Sequence, residues 1–424
     1  MNSNNDHPKR YAMANELHAR PFPLIAAPGR AAYLAIKPAR NAAGRDRDAD
    51  RAHLIALLDR FGAPHPQPNA THYSGQIGRH ILKWESHTEF VTYTIHCDGV
   101  ADDPFNAATF KLFPEEWLAQ APGVRVTSAL IRIEQLTDDT GIPEKTRAWF
   151  VPESLAMSRV LDDDLVVGAD FRIDEAGHMR FAVFVRPECG ARRVGRVVQR
   201  LCEIETYKAM AMLGYFQAGE LNTKMGAIDA RLSKLMEEIS GTAPEVTLSA
   251  LIDVSAELEN LSAKSSFRFG ATGAYETIVN QRVAVLREQR FKGRQTFGEF
   301  MMRRFDPAMR TVASTQDRLQ VMADRARRAG ELLRTRVDVE RSAQNQALLE
   351  SMDKRADLQL RLQQTVEGLS VVAISYYAVS LGAYALYPLG KWAGISKELI
   401  TAGLVVPVLV LVWLMVRAIR NKFH

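Results

Sequence analysis

The hydrophobic pattern changes character twice along the chain. The last part holds two uncharged apolar runs, LSVVAISYYAVSLGAYALYPL at 369–389 and LITAGLVVPVLVLVWLMV at 399–416. They are 21 and 18 residues long, and about 20 apolar residues cross a hydrocarbon core about 30 Å thick. A helix satisfies its own backbone hydrogen bonds in lipid, so each run is predicted to be a transmembrane helix. Residues 369–424 thus read as a two-helix transmembrane hairpin with a basic tail.

Before the hairpin the pattern is helical. Residues 194–239 carry an apolar stripe through Val197, Leu201, Ile204, Met212 and Leu213, and Gly241 and Pro244 break it. Residues 246–290 form a second predicted helix, with Leu248, Leu251, Ile252, Leu258 and Leu261 on its stripe. The FRFGATGA stretch inside it predicts a kink or a break, since each glycine costs about 1 kcal/mol in a helix interior. A third helix is expected to start after Asp306-Pro307, aspartate being a good N-cap and proline suiting the first helical position. No proline follows until Pro388. Such a helix would reach about 120 Å at 1.5 Å per residue, and it needs its stripe buried to be stable. That stripe includes Leu319, Met322, Ala326, Leu333, Val337, Leu348, Met352, Leu358 and Leu362. Neighbouring helices or other copies of the chain could cover it. Residues 192–368 therefore read as a long α-helical stalk.

Residues 1–191 alternate between strand and helix patterns. Strands are predicted at 30–37, 71–85, 88–97 and 124–136, the last from the alternation VRVTSALIRIEQL. A helix is predicted at 46–61 through His53, Leu54, Leu57, Leu58 and Phe61, ended by Gly62 and the prolines beyond it. Another is expected over 104–120 around Phe110, Leu112, Trp117 and Leu118. Residues 165–173 and 179–185 read as a hairpin joined by DEAGH. The mixture predicts an α+β (mixed α/β) domain.

Charge refines this picture. Lys354, Arg355 and Arg361 precede the first span, and Arg417, Arg420 and Lys422 follow the second. The loop GKWAGISKE carries Lys391 and Lys397 against Glu398. Excess Lys and Arg mark the cytoplasmic side, so both outer flanks are expected in the cytoplasm. Trp392 and Trp413 suit the membrane interfaces. The first residues lack the apolar core of a secretory signal. Cys97, Cys189 and Cys202 show no paired spacing, which fits a reduced compartment. The expected location is the bacterial inner (plasma) membrane, with the N-terminal bulk and the C-terminal tail cytoplasmic. From Arg282 to Arg361 basic residues exceed acidic ones by seven. This excess could attract anionic headgroups or another polyanion, or it could be a helix surface laced with ion pairs. The segment lacks the interleaved aromatics on which single-stranded nucleic acid stacks, so no nucleic-acid partner is expected.

Candidate chemistry is sparse. Tyr377, Ser380, Tyr384 and Tyr387 fall at helical spacing on one face of the first span. They could line a pore or make a subunit contact; ordinary packing with interfacial anchoring is the simpler reading. Neither span holds a carboxylate or a histidine, which argues against a proton relay. His7, His18, His53, His65, His72, His80, His87 and His96 crowd the first hundred residues without metal-ligand spacing, so surface or hydrogen-bonded roles are expected. Glu16, His18 and Arg20 could form a polar network. Asp162, Asp163 and Asp164 could hold a divalent cation, although a loop before the next strand is the simpler expectation. No phosphate-binding loop, nucleophile elbow or metal motif is visible, so no catalytic, metal or cofactor site is expected.

Two resemblances add to this reading. The segments HPKRYAMANELHARPFPL and VEGLSVVAISYYAVSLGAY resemble those of an uncharacterised bacterial family described as predicted membrane-anchored proteins. That resemblance implies a membrane anchor and carries no activity. The architecture is similar to that of CorA-type magnesium channels, with a cytoplasmic α/β domain, long helices, a stalk entering the first of two C-terminal spans, and a basic tail. This second resemblance implies a homo-oligomer whose first spans line a pore, with a Gly-Met-Asn signature at their outer end. Here that position reads Tyr387-Pro388-Leu389-Gly390-Lys391-Trp392, and Lys391 would repel a cation. The expectation is a non-enzymatic, homo-oligomeric membrane protein, for which the second resemblance implies an ion channel or transporter role of CorA type. Its partners are the lipid bilayer, other copies of itself and an inorganic ion if it conducts one. The alternative is a membrane-tethered scaffold or regulator for which the hairpin is only an anchor.

Overall fold

A computed structural model describes residues 6–16, 22–39, 44–241 and 243–422. The chain forms two compact units, one of Met1–Glu238 with Ser249–Ala329 and the other of Ile239–Leu248 with Gly330–His424.

The first unit is built on a nine-stranded mixed sheet. In chain order its strands are β1 (Gly29–Lys37), β2 (His72–Ile77), β3 (His80–Ser86), β4 (Val91–Asp98), β5 (Val124–Gln135), β6 (Ala156–Val160), β7 (Leu165–Ala169), β8 (Met179–Val185) and β9 (Gln289–Arg290). Their spatial order is β2-β3-β4-β1-β5-β8-β7-β6-β9. All pairings are antiparallel except β5 with β8. Short helices complete this part: α1 (Arg10–Glu16), α2 (Arg47–Arg60), α3 (Glu115–Ala119) and α4 (Ile142–Trp149).

The central strands β1 and β4 are buried almost throughout, so both sheet faces are covered. The side-chain period of two sends alternate residues to different partners. Leu34, Ile36, Tyr93 and Ile95 join Leu54, Leu57 and Leu58 of α2 and Trp117 of α3 in one core. On the other face, Tyr33 bonds Thr206, and Thr127 donates to Glu205 at 3.0 Å. Both partners lie on α5 (Ala191–Glu237). Asp46 caps α2 by accepting from the Asp48 and Ala49 amides, as its residue type favours.

The structure amends several expectations. The expected strand at 71–85 is a hairpin, because Gly78 adopts φ 56° and turns the chain between Ile77 and His80. The segment 104–120 is two pieces, a 3₁₀ turn at Ala107–Leu112 and then α3, separated by Phe113 and Pro114 in extended conformation. Residues 165–173 narrow to β7, and the antiparallel pairing of β7 with β8 follows the predicted hairpin. α4, β6 and β9 stand where the sequence pattern predicts no element.

Long helices close the first unit. α5 lies within a few residues of its predicted bounds. α6 (Pro244–Ala284) runs without a break through FRFGATGA. Gly270 and Gly273 there are exposed while Phe269 and Thr272 are buried, so packing offsets the propensity cost. Thr272 approaches Gly214 of α5 so closely that a β-carbon on Gly214 would stand 2.1 Å from the Thr272 hydroxyl.

α7 (Phe297–Trp392) starts well before Asp306-Pro307. A reciprocal cap sets this start: the Thr296 amide donates to the Glu299 carboxylate at 3.0 Å, and the Glu299 amide donates to the Thr296 hydroxyl at 3.1 Å. Glu288 accepts from the Phe297 and Gly298 amides at 3.0 and 2.8 Å. With its first turn fixed in this way, the helix continues through Pro307, which removes a single N–H.

In the second unit, Leu333 and Val337 of α7 are buried. Arg336 donates to the Ile239 carbonyl at 2.7 Å, and Arg341 pairs with Glu245 at 2.9 Å. From Arg341 to Val366 every residue of α7 is exposed. The helix then packs against α8 (Lys397–Lys422). Gly394, at φ 74°, serves the turn between them. Both helices are long and apolar enough to cross a membrane, with mean hydropathies of 1.6 and 2.7 over their most apolar stretches.

Candidate functional site

The hairpin is held by small residues. A β-carbon on Gly390 would meet the Ile400 side chain at 2.1 Å, and one on Gly382 would meet Leu404 at 3.4 Å. Ser375, Ala383 and Val412 are buried in the same unit. Small residues let helices approach closely where lipid offers no hydrophobic drive. Tyr377, Ser380, Tyr384 and Tyr387 do not form this seam. Tyr377 and Tyr384 are two-thirds exposed, at 66% and 68%, Tyr387 is exposed and Ser380 half-buried. The Lys397 ammonium lies 5.0 Å over the Tyr384 ring. Ser375, which sequence reasoning passed over, is the polar residue pointing inward, and its hydroxyl has no protein partner.

The remaining candidates from sequence are dispersed. Glu16 ends α1, whereas His18 and Arg20 lie outside the described residues. Each carboxylate of the Asp162–Asp163–Asp164 run meets an arginine. Asp162 pairs with Arg287 at 2.7 Å, Asp163 with Arg159 and with Arg186 at 3.5 Å, and Asp164 with Arg193. His18 apart, the histidines are also separate. His7, His65 and His72 are exposed, and His65 pairs with Asp59 at 2.6 Å. His53 is a core residue, with Nδ1 3.1 Å from the Tyr93 hydroxyl and Nε2 2.9 Å from the Trp117 carbonyl. His80 is buried and His87 stacks on Phe90. Among the described residues, no cluster of three or more His, Cys, Asp or Glu side chains is placed to hold a metal.

His96 lines a small cavity between the sheet and α5. Its volume is about 20 Å³, room for one water. Tyr33, Lys83, Glu85 and Cys202 also line it. Lys83 reaches across to Gln199 of α5 at 2.6 Å and pairs with Glu85 at 3.2 Å. Both His96 nitrogens lack a protein partner. Burial, and secondly the Lys83 charge, push the His96 pKa down to about 4, so the ring is neutral at pH 7. Burial likewise raises the Cys202 thiol. These groups are closed in rather than poised for a substrate.

A roomy concavity lies in the first unit, where the ends of β6 and β7 meet the start of α7. It is a cleft of about 670 Å³, a size that suits small ligands. Arg172, Arg294, Arg303 and Arg304 line it, together with Phe171, Phe300, Glu153 and Asp170. Sequence reasoning missed this site, because its arginines come from segments more than a hundred residues apart. The one available signal was the basic excess of 282–361, which contains three of the four.

A family model described as "Protein of unknown function (DUF3422)" matches residues 5–423. No curated protein and no solved structure matches the chain.

Proposed function

We propose, for a chain that belongs to this family of unknown function, the role of a membrane-anchored, self-associating scaffold or regulator. The hairpin of α7 and α8 anchors it, and the sheet-bearing unit is the part that meets other molecules. One observation carries this reading. Between Arg341 and Val366, α7 is bare on every side, yet Leu348, Leu349, Met352, Leu358, Leu360 and Leu362 are each more than half exposed. A lone helix gains little from propensity and is stabilised mainly by burying an apolar face. Further copies of the same segment supply such a face in register, as in helical bundles.

A second reading, a channel of CorA type, draws support from the hydroxyl stripe. Tyr377 and Tyr384 stay two-thirds exposed, so in an oligomer they would meet neighbouring copies or a central path. The missing Gly-Met-Asn signature weighs against magnesium as the ion.

The mass of the protein in mild detergent tests the self-association. A multiple of the 47.3 kDa chain is expected, and a monomer across the accessible concentration range would remove both readings and leave a simple anchor. For an oligomer, ion flux in liposomes separates the two. Flux reduced by Tyr384→Ala favours the channel; absence of flux for every ion tried favours the scaffold.

A further inference from the structure

The geometry points to the arginine-lined cleft of the first unit as a binding site for a phosphate-bearing anion. Its lining carries four arginines against two carboxylates. One of those carboxylates is already committed. Asp170 accepts from Arg180 at 2.9 Å, from the Val151 amide at 3.1 Å and from the Arg172 amide at 3.2 Å. Among the described residues, none of the four lining arginines stands in an ion pair. Arg172 donates to the Ser154 hydroxyl at 3.0 Å, and Arg294 to the Pro152 carbonyl at 3.0 Å. Arg303 reaches the Gln295 side chain at 3.4 Å.

This pattern is the reverse of the surrounding surface. Arg159, Arg180, Arg186 and Arg290 of the same unit each hold a carboxylate. In the cleft, neutral acceptors fix two guanidinium groups in place and leave their charge uncompensated. Guanidinium forks match phosphate oxygens in pairs. Several converging on one concavity raise the local concentration of anions.

The backbone supplies a second, independent observation. Phe171 adopts φ 52°, in the left-handed region that a bulky residue seldom enters. Held there, its ring stacks on Phe300 with centroids 4.1 Å apart. Such conformations persist only where the surroundings over-determine them, and they gather at binding sites. The strained residue forms one wall of the cleft and joins the loop after β7 to the first turns of α7.

The phosphate could belong to a soluble metabolite or to a lipid headgroup; the recognising chemistry is the same. Titration calorimetry on the full chain in mild detergent tests the site with two probes, inorganic pyrophosphate and a short-chain phosphatidylglycerol below its micelle concentration. Saturable binding of pyrophosphate identifies a soluble source, and saturable binding of the lipid alone identifies a headgroup. In either case Arg303→Ala with Arg304→Ala is expected to weaken binding at least about tenfold, from the loss of charge-assisted contacts. Arg341→Ala in the second unit is expected to change nothing. Arg303→Lys with Arg304→Lys keeps the charge but loses the fork, and an intermediate affinity is expected even if the alanine pair unfolds. Absence of binding tighter than about 1 mM for both probes, or equal affinity in the wild type and the lysine and alanine variants, overturns the assignment.

Discussion

Ion pairs in the sheet-bearing unit and in the bare stretch of α7 differ in reach. Glu89 is 1% exposed and joins Arg268 across 179 residues, while the Tyr275 hydroxyl donates to it at 2.8 Å. Arg282 joins Glu203 across 79 residues. On α7, Arg361 meets Asp357 one turn away at 3.6 Å, with both side chains largely exposed. The first kind of pair ties distant elements into one cooperative body. The second lends a few tenths of a kcal/mol to a helix that must find its stability elsewhere. The same residue chemistry therefore has different weight according to what surrounds it.

This contrast is open to direct attack. The largest effect is expected from Glu89→Ala, which leaves Arg268 and the Tyr275 hydroxyl without their acceptor in a buried place. A loss of about 3–5 kcal/mol is expected for such a broken pair, read as a fall in the urea midpoint of near-ultraviolet circular dichroism. A change below about 1 kcal/mol would show that the pair is solvated and the contrast false.

Acid is the next probe. His96 has an ordinary pKa of 6.5 when unfolded and about 4 when folded. Between those values the unfolded chain holds the extra proton, so stability is expected to fall as pH drops from about 6.5 to about 4. The full effect is on the order of 3 kcal/mol, from the size of the shift. Comparing unfolding curves at several pH values for wild type and His96→Gln checks this. The glutamine variant should lose that part of the acid dependence, and an unchanged profile would assign it to other groups.

A smaller loss, about 1–3 kcal/mol for overpacking, is expected from Gly214→Ala, because the added carbon meets the Thr272 hydroxyl. Gly219→Ala, five residues on and open on that side, is the matched control. Equal behaviour of the two would mean that α5 and α6 are not in close contact there. The smallest effects on the sheet-bearing unit belong to the bare stretch. Asp357→Ala and Leu362→Ala are expected to move its unfolding by less than about 0.5 kcal/mol. Leu362→Asp should nonetheless lower the oligomer mass in detergent, and an unaltered assembly would place the contact between copies elsewhere.

Much of the secondary structure was legible before the fold. α2, α5, β1, β4, β5 and both apolar helices follow from periodicity, capping and run length. The misreadings have physical causes. At 71–85 the strand pattern continues across Gly78, so a hairpin looked like one strand. At 104–120 the apolar spacing suggested one helix, but Pro114 leaves the residue before it extended. Local preference places the start of α7 at Asp306-Pro307, whereas Thr296 and Glu299 cap one another three residues apart and Glu288 arrives from the chain before β9. The glycines of FRFGATGA suggest a kink or a break, because propensity ignores what Phe269 and Thr272 bury.

The candidate site divides in the same way. The hydroxyl stripe on the apolar part of α7 is visible in the sequence because all four residues share one helix. The arginine cleft is not, since Arg172 and Arg303 come to line one cleft only in the folded chain.

What the sequence determined by itself is whatever acts within a few turns of chain: the helix periods, the caps, and the two runs oily enough for a bilayer. The tertiary structure alone decided which charges are matched and which are left over. Whether a guanidinium meets a carboxylate depends on distances between residues far apart in the chain, and local pattern carries no information about those.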